Sequence, residues 1–378
     1  MLKISGNPST NFRQSIIGRV TTKNLPFYKR YQRIYINEHL PKPKFGYLAI
    51  LTTSRPINKF YYPLIVGNID SSEFLQIKDN DIIKIDPDGS INILWQYDSI
   101  HNALLVTESC NCRCLMCPQP PKNHDNTYNL FNNKILDLLQ NLPIPEVCLT
   151  GGEPTIVKSE FLTILKRIYN EHPESRINVL TNAKIFSDTE FCYQILPNIK
   201  QNTIFCVSLH SDIESIHDTI VGKSDSFLKT QEGIYNLSLY NIPIEIRFVI
   251  NKLNCERILE FSDFIYRYFP FVFHVVFMSQ EICGLATQNF DLIYVDPFDY
   301  KEELRKATLF LMKRGLNVSV YNTPLCLSHP DIFDFHAKSI SPWKNDFILA
   351  CEICQKKEIC CGFFTTSTSP ISSHIQPF

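Results

Sequence analysis

Between residues 100 and 280 the sequence alternates between strand-like and helix-like segments, and this alternation limits the fold to one class. Apolar residues recur at helical spacing between the strand-like runs, for example at Phe131, Ile135 and Leu138. Strands that alternate with helices form a parallel sheet, so we predict an α/β fold whose polar strand ends meet at one edge. The six strand-like runs are residues 103–107, 146–150, 177–181, 203–209, 243–250 and 272–277.

The segments on either side of this alternating region differ from it in composition and in predicted secondary structure. Residues 1–98 are rich in Pro, Tyr and β-branched residues, and the turn signal Pro87-Asp88-Gly89 separates two strand-like runs. Beyond residue 300 we predict a helix over Tyr300–Arg314, a strand over Asn317–Tyr321 and then an irregular region with a flexible Ser/Thr/Pro-rich tail. The sequence therefore predicts three domains: a β-rich domain at 1–98, an α/β domain at 99–300 and a C-terminal region at 301–378.

Composition and charge exclude several classes of function. Apolar residues make up 44% and charged residues 20%, and the net charge is −1, so we expect no nucleic-acid partner and no anionic membrane partner. No apolar run approaches 18 residues, and the N-terminal residues lack the apolar core of a signal peptide. Fourteen cysteines without such a signal indicate thiolate ligands rather than disulfides, and so a cytoplasmic location.

Three cysteines with a short, regular spacing follow the first predicted strand. Three residues separate Cys110 from Cys114, and two separate Cys114 from Cys117. A structural zinc ion would need a fourth protein ligand close by, whereas a [4Fe–4S] cluster held by three cysteines keeps one iron open for another ligand. A group of buried thiols without metal is the remaining interpretation. Cys112 lies outside the triad, as a bystander or as a second thiol competing for the metal.

The three-then-two cysteine spacing resembles that of the radical S-adenosylmethionine (SAM) enzymes, and so does Thr150-Gly151-Gly152-Glu153-Pro154 after the second strand. The resemblance implies a partial (β/α)6 barrel, flanked here by the β-rich domain and by a cysteine-rich iron–sulfur region. It also implies that Cys110, Cys114 and Cys117 hold a [4Fe–4S] cluster that binds SAM and cleaves it reductively to a 5′-deoxyadenosyl radical.

The same resemblance implies the residues that contact SAM. The Gly151-Gly152-Glu153-Pro154 loop would contact the amino group of SAM, and two glycines allow a backbone to approach a ligand closely. Further contacts would come from strand ends and strands, at Asn182, Ser208 and Arg247. Arg247 could instead pair with a helix acid such as Glu214. His210 could be a structural histidine or an acid/base that faces the substrate.

A second group of cysteines lies near the C-terminus. Cys326, Cys351, Cys354 and Cys360 could hold zinc or a complete [4Fe–4S] cluster. Their spacing resembles the auxiliary-cluster region of radical SAM enzymes that modify peptides, which implies a second, auxiliary [4Fe–4S] cluster. Cys361 is an alternative to Cys360 as the fourth cysteine ligand. The remaining isolated cysteines are predicted to be core residues; they are Cys148, Cys192, Cys206, Cys255 and Cys283.

Longer stretches resemble one subfamily, the His-Xaa-Ser system radical SAM maturases of the HxsC type. They are Leu104–Lys122, Asn322–Cys326, Trp343–Asn345 and Gly362–Phe364. This resemblance implies a ribosomally made peptide or protein substrate with His-Xaa-Ser repeats and an electron donor. We expect the β-rich domain and the C-terminal cluster region to form a peptide cleft together, in which exposed strand edges pair with the extended substrate. Two alternatives remain open at this stage: radical SAM chemistry on a small molecule, and a zinc- or cluster-stabilised binding module without turnover.

Overall fold

The structure is a computed structural model, and it describes residues 4–40, 45–56, 63–123, 127–338, 344–368 and 370–378. Trp343, one of the residues that carries the subfamily resemblance, lies outside these ranges. Contacts divide the chain into two compact units. The first unit contains residues 1–102, 126–143 and 170–172, and the second contains residues 103–125, 144–169 and 173–378. None of the described helices is long and apolar enough to span a membrane.

The first unit is built around an eight-stranded sheet with the strand order β1-β8-β7-β3-β4-β5-β6-β2. Isoleucine, valine and leucine side chains from these strands form its buried core. The strands are β1 (Ile4–Ser5), β2 (Asn7–Pro8), β3 (Ile16–Thr21), β4 (Arg33–Ile36), β5 (Ala49–Leu51), β6 (Leu64–Gly67), β7 (Ile82–Ile85) and β8 (Ser90–Trp95). Helices α1 (Ser71–Phe74) and α2 (Thr127–Leu139) belong to the same unit.

One bent strand closes this sheet on itself. β1 and β2 are consecutive in the chain and lie at opposite ends of the strand order, where β1 pairs with β8 and β2 with β6. The bend falls at Gly6, whose amide donates to the Gly89 carbonyl, and a Cβ there would lie 2.7 Å from a Val66 side-chain atom. At this closure, β1 pairs with Ser90 and Ile91 of β8. Because the sheet is closed, it offers an extended peptide much less strand edge than the sequence led us to expect.

The second unit contains eight consecutive parallel strands, each paired with the next along the chain. The strands are β9 (Ala103–Thr107), β10 (Glu146–Gly151), β11 (Arg176–Thr181), β12 (Thr203–Ser208), β13 (Ile244–Val249), β14 (His274–Met278), β15 (Val318–Tyr321) and β16 (His336–Ala337). The α-helices of this unit are α3 (Lys158–Glu171), α4 (Thr189–Ile195), α5 (Glu214–Val221), α6 (Ser226–Leu239), α7 (Ile258–Tyr268), α8 (Leu285–Gln288), α9 (Phe290–Ile293) and α10 (Pro297–Met312). A two-stranded antiparallel sheet pairs β17 (Asn345–Asp346) with β18 (Phe363–Phe364).

The two faces of the parallel strands differ in chemistry because successive side chains point to opposite sides. In β11, Ile177 and Val179 are fully buried, whereas Asn178 between them is only partly buried. In β13, Glu245 and Arg247 share one face, and Ile246 and Phe248 on the other face are completely buried. One face of the sheet therefore packs as an apolar core, while the other carries polar groups.

The predicted α/β class with its six alternating strands is confirmed, with strand limits that agree to within two residues. The sheet extends further than predicted, because β15 and β16 continue it in the same parallel direction. The shorter helices α4, α5, α8 and α9 were not predicted. Their four to eight residues give too few turns for a helical repeat to stand out in the sequence.

Candidate active site

A cavity of about 340 Å³ opens at the carboxyl ends of the parallel strands. It contains all three cysteines of the triad: Cys110, Cys114 and Cys117. The other predicted site residues that line it are Gly151, Gly152, Glu153, Asn182, Ser208 and Arg247. Pro154 does not line the cavity; it is buried at the start of a short 3₁₀ helix. The structure thus brings together, in one cavity, residues that are up to 137 positions apart in the sequence.

Backbone hydrogen bonds hold the loop that carries the triad. The amides of Arg113 and Leu115 donate to the carbonyls of Val221 and Ile220 at the end of α5, at 3.0 and 2.8 Å. On the other side, the Leu285 amide donates to the Cys117 carbonyl at 2.9 Å. Backbone contacts that do not involve the sulfur atoms therefore place the loop that carries the three thiols.

Burial opposes ionisation of the three thiols. It raises the pKa of Cys114 to about 12, and it also raises the pKa of Cys117. A hydrogen bond to Cys112 and burial raise the pKa of Cys110. Thiolates at this site need a compensating positive charge, which bound iron would supply. Among the described residues, no three Cys, His, Asp or Glu side chains converge on a single ion. In a cluster each thiolate holds its own iron atom, so the donor set suits a [4Fe–4S] cluster.

The two glycines after β10 are required by the cysteine loop. A Cβ at Gly152 would lie 2.3 Å from the Ser109 carbonyl oxygen, and one at Gly151 would lie 2.6 Å from that of Thr107. The amides of Gly152 and Glu153 donate to these same two carbonyls at 2.8 Å. From the sequence we attributed the glycines to close approach by a ligand. In the structure their first requirement is backbone-to-backbone packing against the loop that carries the triad.

This packing changes what is expected of a substitution at Gly152. Gly152→Ala should displace the cysteine loop, and overpacking of this kind costs about 1–3 kcal/mol. We therefore expect lower iron content together with a roughly tenfold or greater loss of SAM affinity. Iron analysis and SAM titration measure the two effects. Gly315→Ala is the control for backbone strain away from the cysteine loop, because Gly315 has a φ of +80° but a Cβ there meets no atom within 4 Å. A Gly152→Ala protein with full iron and unchanged SAM affinity would contradict this account.

The carboxylate of Glu153 is buried and forms hydrogen bonds to other residues of the protein. Its side chain is 1% exposed, and burial raises its pKa. The carboxylate accepts hydrogen bonds from the Asn182 amide at 2.6 Å, from the Thr181 hydroxyl at 2.8 Å, and from the amide and hydroxyl of Thr155 at 3.2 and 2.6 Å. These bonds tie the loop after β10 to the loop after β11. With its carboxylate engaged in this way, Glu153 fixes the position of Asn182, a predicted SAM contact.

Arg247 reaches the cavity from within β13. Its Nε donates to Glu245 at 2.6 Å, so the predicted alternative of an ion pair is realised with Glu245 and not with Glu214. The other Glu245 oxygen lies 2.9 Å from His274 Nδ1, and His274 Nε2 lies 2.9 Å from the Ser319 hydroxyl. Burial opposes the charge on Glu245, but hydrogen bonds and charge from His274 and Arg247 lower its pKa to about 2.

The low pKa of Glu245 predicts an acid-sensitive contribution to stability. An unfolded glutamate has a pKa of about 4.3, so a folded pKa near 2 corresponds to about 3 kcal/mol of unfolding free energy. That contribution is complete above the unfolded pKa and is lost as the pH falls towards 2. Denaturation at several pH values measures the difference in unfolding free energy between wild type and Glu245→Gln, and we expect this difference to narrow below pH 4.3. Glu232→Gln, at an exposed glutamate, is the control and should show no such difference. A difference in unfolding free energy that does not depend on pH would contradict the low pKa of Glu245.

Lys184 was not predicted, yet it lines the same cavity. It is buried, and its Nζ donates to the Ser226 hydroxyl at 3.0 Å and to the Cys112 sulfur at 3.3 Å. A hydrogen bond from Cys110, opposed by burial and assisted by Lys184, lowers the pKa of Cys112 to about 6. Cys112 therefore lies in an electropositive corner of the site, with the ammonium group as its counter-charge. The only sequence signal for Lys184 was its position three residues beyond a predicted strand end.

His210 has the features of a structural histidine. Its Nδ1 accepts the Val249 amide at 3.3 Å, and its own amide donates to His217 Nδ1 at 3.1 Å. The two rings stack at 5.9 Å. Burial lowers the pKa of His210 to about 4 and that of His217 to about 3, so both rings are neutral at physiological pH.

The predicted auxiliary cysteines lie around a second, smaller pocket. Its walls include Cys326, Cys351, Cys354 and Cys360. The Cys360 sulfur accepts the amides of Leu325 and Gly362, both at 3.4 Å. A hydrogen bond from Cys361 contributes most to lowering the pKa of Cys360 to about 6, and these two amides add to it. Cys361 itself is buried away from the pocket, with its sulfur 3.3 Å from the Gly362 carbonyl. The geometry thus favours Cys360 over Cys361 as the fourth ligand.

Comparisons with known proteins agree with this geometry. A family model described as a 4Fe-4S single cluster domain matches residues 101–209. A probable GTP 3′,8-cyclase of Saccharolobus islandicus (strain Y.N.15.51 / Yellowstone #2) is 26% identical over 233 residues, which are 57% of this chain and 72% of that protein. The antilisterial bacteriocin subtilosin biosynthesis protein AlbA of Bacillus subtilis (strain 168) is 24% identical over 202 residues, 53% of this chain and 40% of that protein.

The crystal structure of Streptococcus suis SuiB bound to S-adenosylmethionine has the same fold over 62% of this chain, with a TM-score of 0.51 and 17% sequence identity. The match spans about half of the SuiB chain, 53%. The fold is thus a parallel α/β sheet whose strand ends carry a cysteine site suited to an iron–sulfur cluster. In its fold and in the match to a 4Fe-4S single cluster domain over residues 101–209, the chain is similar to radical SAM proteins.

Proposed function

We propose that the protein is a radical SAM maturase that modifies a ribosomally made polypeptide. The observation that carries the proposal is the convergence of the cysteine triad, the Gly-Gly loop and the polar groups of β12 and β13 on one cavity. A [4Fe–4S] cluster bound there would supply one electron to SAM, and reductive cleavage of SAM would release a 5′-deoxyadenosyl radical that abstracts hydrogen from the substrate.

The residues of the chain would then bind and orient SAM. Cys110, Cys114 and Cys117 would hold the cluster, and the backbone of Gly151 and Gly152 would receive the amino-acid head group. Arg247 is suited to a carboxylate, because Glu245 fixes its Nε while its side chain remains 22% exposed towards the cavity. Asn182 and Ser208 would supply neutral hydrogen-bonding groups from neighbouring strand ends. Such positioning is the main contribution that a protein makes to radical chemistry.

A second chamber favours a polypeptide substrate. It also has a volume of about 340 Å³, and it shares Ser279, Gln280, Asn322 and Phe364 with the cavity that contains the triad. On its other side it shares Pro324, Gly362 and Phe363 with the auxiliary cysteine pocket. A substrate segment seated in this chamber would lie beside both cysteine sites. The strand β18 contributes to this arrangement directly. Phe363 also lines the auxiliary cysteine pocket, and Phe364 also lines the cavity that contains the triad.

The finer assignments belong to the same proposal. A second [4Fe–4S] cluster would be held by Cys326, Cys351, Cys354 and Cys360, with its four irons all ligated, so we assign it to electron transfer. Residues 1–98, 99–300 and 301–378 would serve as the β-rich domain, the barrel and the auxiliary-cluster region. The substrate would carry His-Xaa-Ser repeats, the enzyme would act in the cytoplasm, and a separate protein would donate electrons. The bacteriocin-biosynthesis relative supports a polypeptide as the class of substrate.

A small-molecule substrate is the alternative. It is favoured by the similarity to a probable GTP 3′,8-cyclase, of which this chain covers 72%. Incubation of the reduced enzyme with SAM and GTP distinguishes the two proposals. A new nucleotide product would favour the alternative, and 5′-deoxyadenosine without any such product would exclude GTP as the substrate.

Co-expression with a candidate His-Xaa-Ser protein tests the maturase directly. We expect a discrete mass change in the partner, mapped by tandem mass spectrometry, and no change when the enzyme carries Cys114→Ala. Epimerisation leaves the mass unchanged, so an unchanged mass is followed by hydrolysis and chiral analysis. A partner unaltered in mass, fragmentation and chirality, in the presence of enzyme that turns over SAM, would refute the proposal.

A further inference from the structure

Four exposed aromatic residues lie on two neighbouring loops of the first unit. Phe27, Tyr28 and Tyr31 are 68%, 76% and 78% exposed, and Phe45 on a neighbouring loop is 52% exposed. Soluble proteins rarely leave several large apolar side chains together in water unless they contact something else. We call these four residues the aromatic patch.

The patch rests on a fixed scaffold. Residues 26–33 form a compact turn, in which the Arg30 amide donates to the Phe27 carbonyl and the Arg33 amide to the Arg30 carbonyl. The Arg30 guanidinium joins this turn to the second loop by donating to the carbonyls of Leu25 at 2.8 Å and Phe45 at 2.7 Å. Gly46, with a φ of +89°, lies so close to the Phe27 ring that a Cβ there would be 3.0 Å away. The rings are therefore presented by ordered backbone, which lowers the entropic cost of binding.

The segment that carries the patch is strongly basic in sequence, with one carboxylate from later in the chain, Asp79, bonded to the Thr22 amide at 2.8 Å. Residues 1–60 contain eleven Lys or Arg residues and one acidic residue, Glu38, although the whole chain has a net charge of −1. Lys23 and Lys29 are exposed, and the Lys29 ammonium lies 5.8 Å from the centre of the Tyr28 ring. The overall charge conceals this asymmetry, which attracts acidic partners to this part of the chain.

We propose that the aromatic patch is a docking surface for an acidic polypeptide segment with apolar anchor residues. Protein interfaces place aromatic residues at the centre and charges at the rim, and this segment supplies both exposed aromatic residues and the exposed cations Lys23 and Lys29. A nucleic acid would need a row of cations to follow its phosphates. At the patch Arg30 is engaged with backbone carbonyls, and the Arg19 guanidinium is bonded to Asn80. The surface thus fits an acidic peptide better than a phosphate backbone, and it does so whether or not the proposed maturase activity is correct.

Selection from a phage-displayed library of random peptides on the intact, anaerobically purified protein tests the proposal. We expect the selected peptides to carry net negative charge and at least one large apolar residue. Labelled synthetic copies should lose roughly tenfold or more in affinity for the double variant Tyr28→Ser/Tyr31→Ser, measured by fluorescence anisotropy. They should bind normally to the control Tyr193→Ser, which removes a tyrosine that is 76% exposed in the other unit.

Several outcomes would overturn the proposal. One is a selected set without acidic character, and another is unchanged affinity for the double variant. A labelled 15-nucleotide oligothymidylate, or phosphatidylserine vesicles, that bound more tightly than the best peptide through the same two tyrosines would assign the surface to nucleic acid or membrane instead. Both tyrosines are largely exposed, so their replacement should leave the fold intact, and circular dichroism checks this. Failure of SAM cleavage or of partner modification would bear on the proposed function and would leave this result standing.

Discussion

Cys114→Ala is expected to abolish SAM cleavage and to remove about half of the bound iron, since two [4Fe–4S] clusters contain equal numbers of irons. Cys114 sits on the loop held between α5 and residue 285, so loss of its sulfur removes a ligand without removing the contacts that shape the loop. The same loss is expected for Cys110→Ala and Cys117→Ala. Iron content and the yield of 5′-deoxyadenosine measure the effect.

Cys112→Ser is the matched control, because Cys112 is on the same loop and its sulfur contacts Lys184. We expect this variant to keep most of its iron and its SAM cleavage. An inactive Cys112→Ser protein, together with an active Cys110→Ala protein, would show that the cluster is held by a different set of three cysteines.

Removal of the four auxiliary cysteines is the second change with a large expected effect. Replacing Cys326, Cys351, Cys354 and Cys360 together should halve the iron and abolish modification of the partner, while SAM cleavage without substrate remains detectable. Cleavage should survive because these cysteines line a pocket separate from the one that contains the triad. Metal analysis, visible absorbance and product mass give the three readouts.

Cys361→Ser provides the control for this experiment. Cys361 is adjacent to Cys360 but buried outside the pocket, so its replacement should leave both clusters in place. Stoichiometric zinc in the wild-type protein, with iron sufficient for only one cluster, would contradict the assignment of an auxiliary iron–sulfur cluster.

The sequence was most informative where a short pattern carries its own physical meaning. Alternating apolar runs predicted the parallel strands, and the spacing of Cys110, Cys114 and Cys117 predicted a metal-binding loop after the first of them. The rule that strand ends meet at one edge was enough to bring Asn182 and Ser208 to the same cavity. These inferences need only local periodicity and the geometry of a sheet.

Such local patterns could not predict which side chains and loops contact one another in the folded protein. Arg247 pairs with Glu245, two residues away on the same strand face, whereas the sequence suggested an acid on a helix. Lys184 was missed because its importance arises from Ser226 and Cys112, 42 and 72 residues away. The need for glycine at position 152 comes from the Ser109 carbonyl, which is 43 residues earlier. Each of these depends on which loops face one another, and residue spacing does not encode that.

The closure of the first unit by its opening strand has a consequence for biosynthesis. Residues 4–8 leave the ribosome before their partners in β6 and β8, which lie 58 to 87 residues further along the chain. The closing strand must therefore wait until both partners have been made, and during that interval the two edges of the unfinished barrel are open. Deletion of residues 1–8, or a bulky fusion placed close to Gly6, would make this transient state permanent and expose strand edges prone to aggregation.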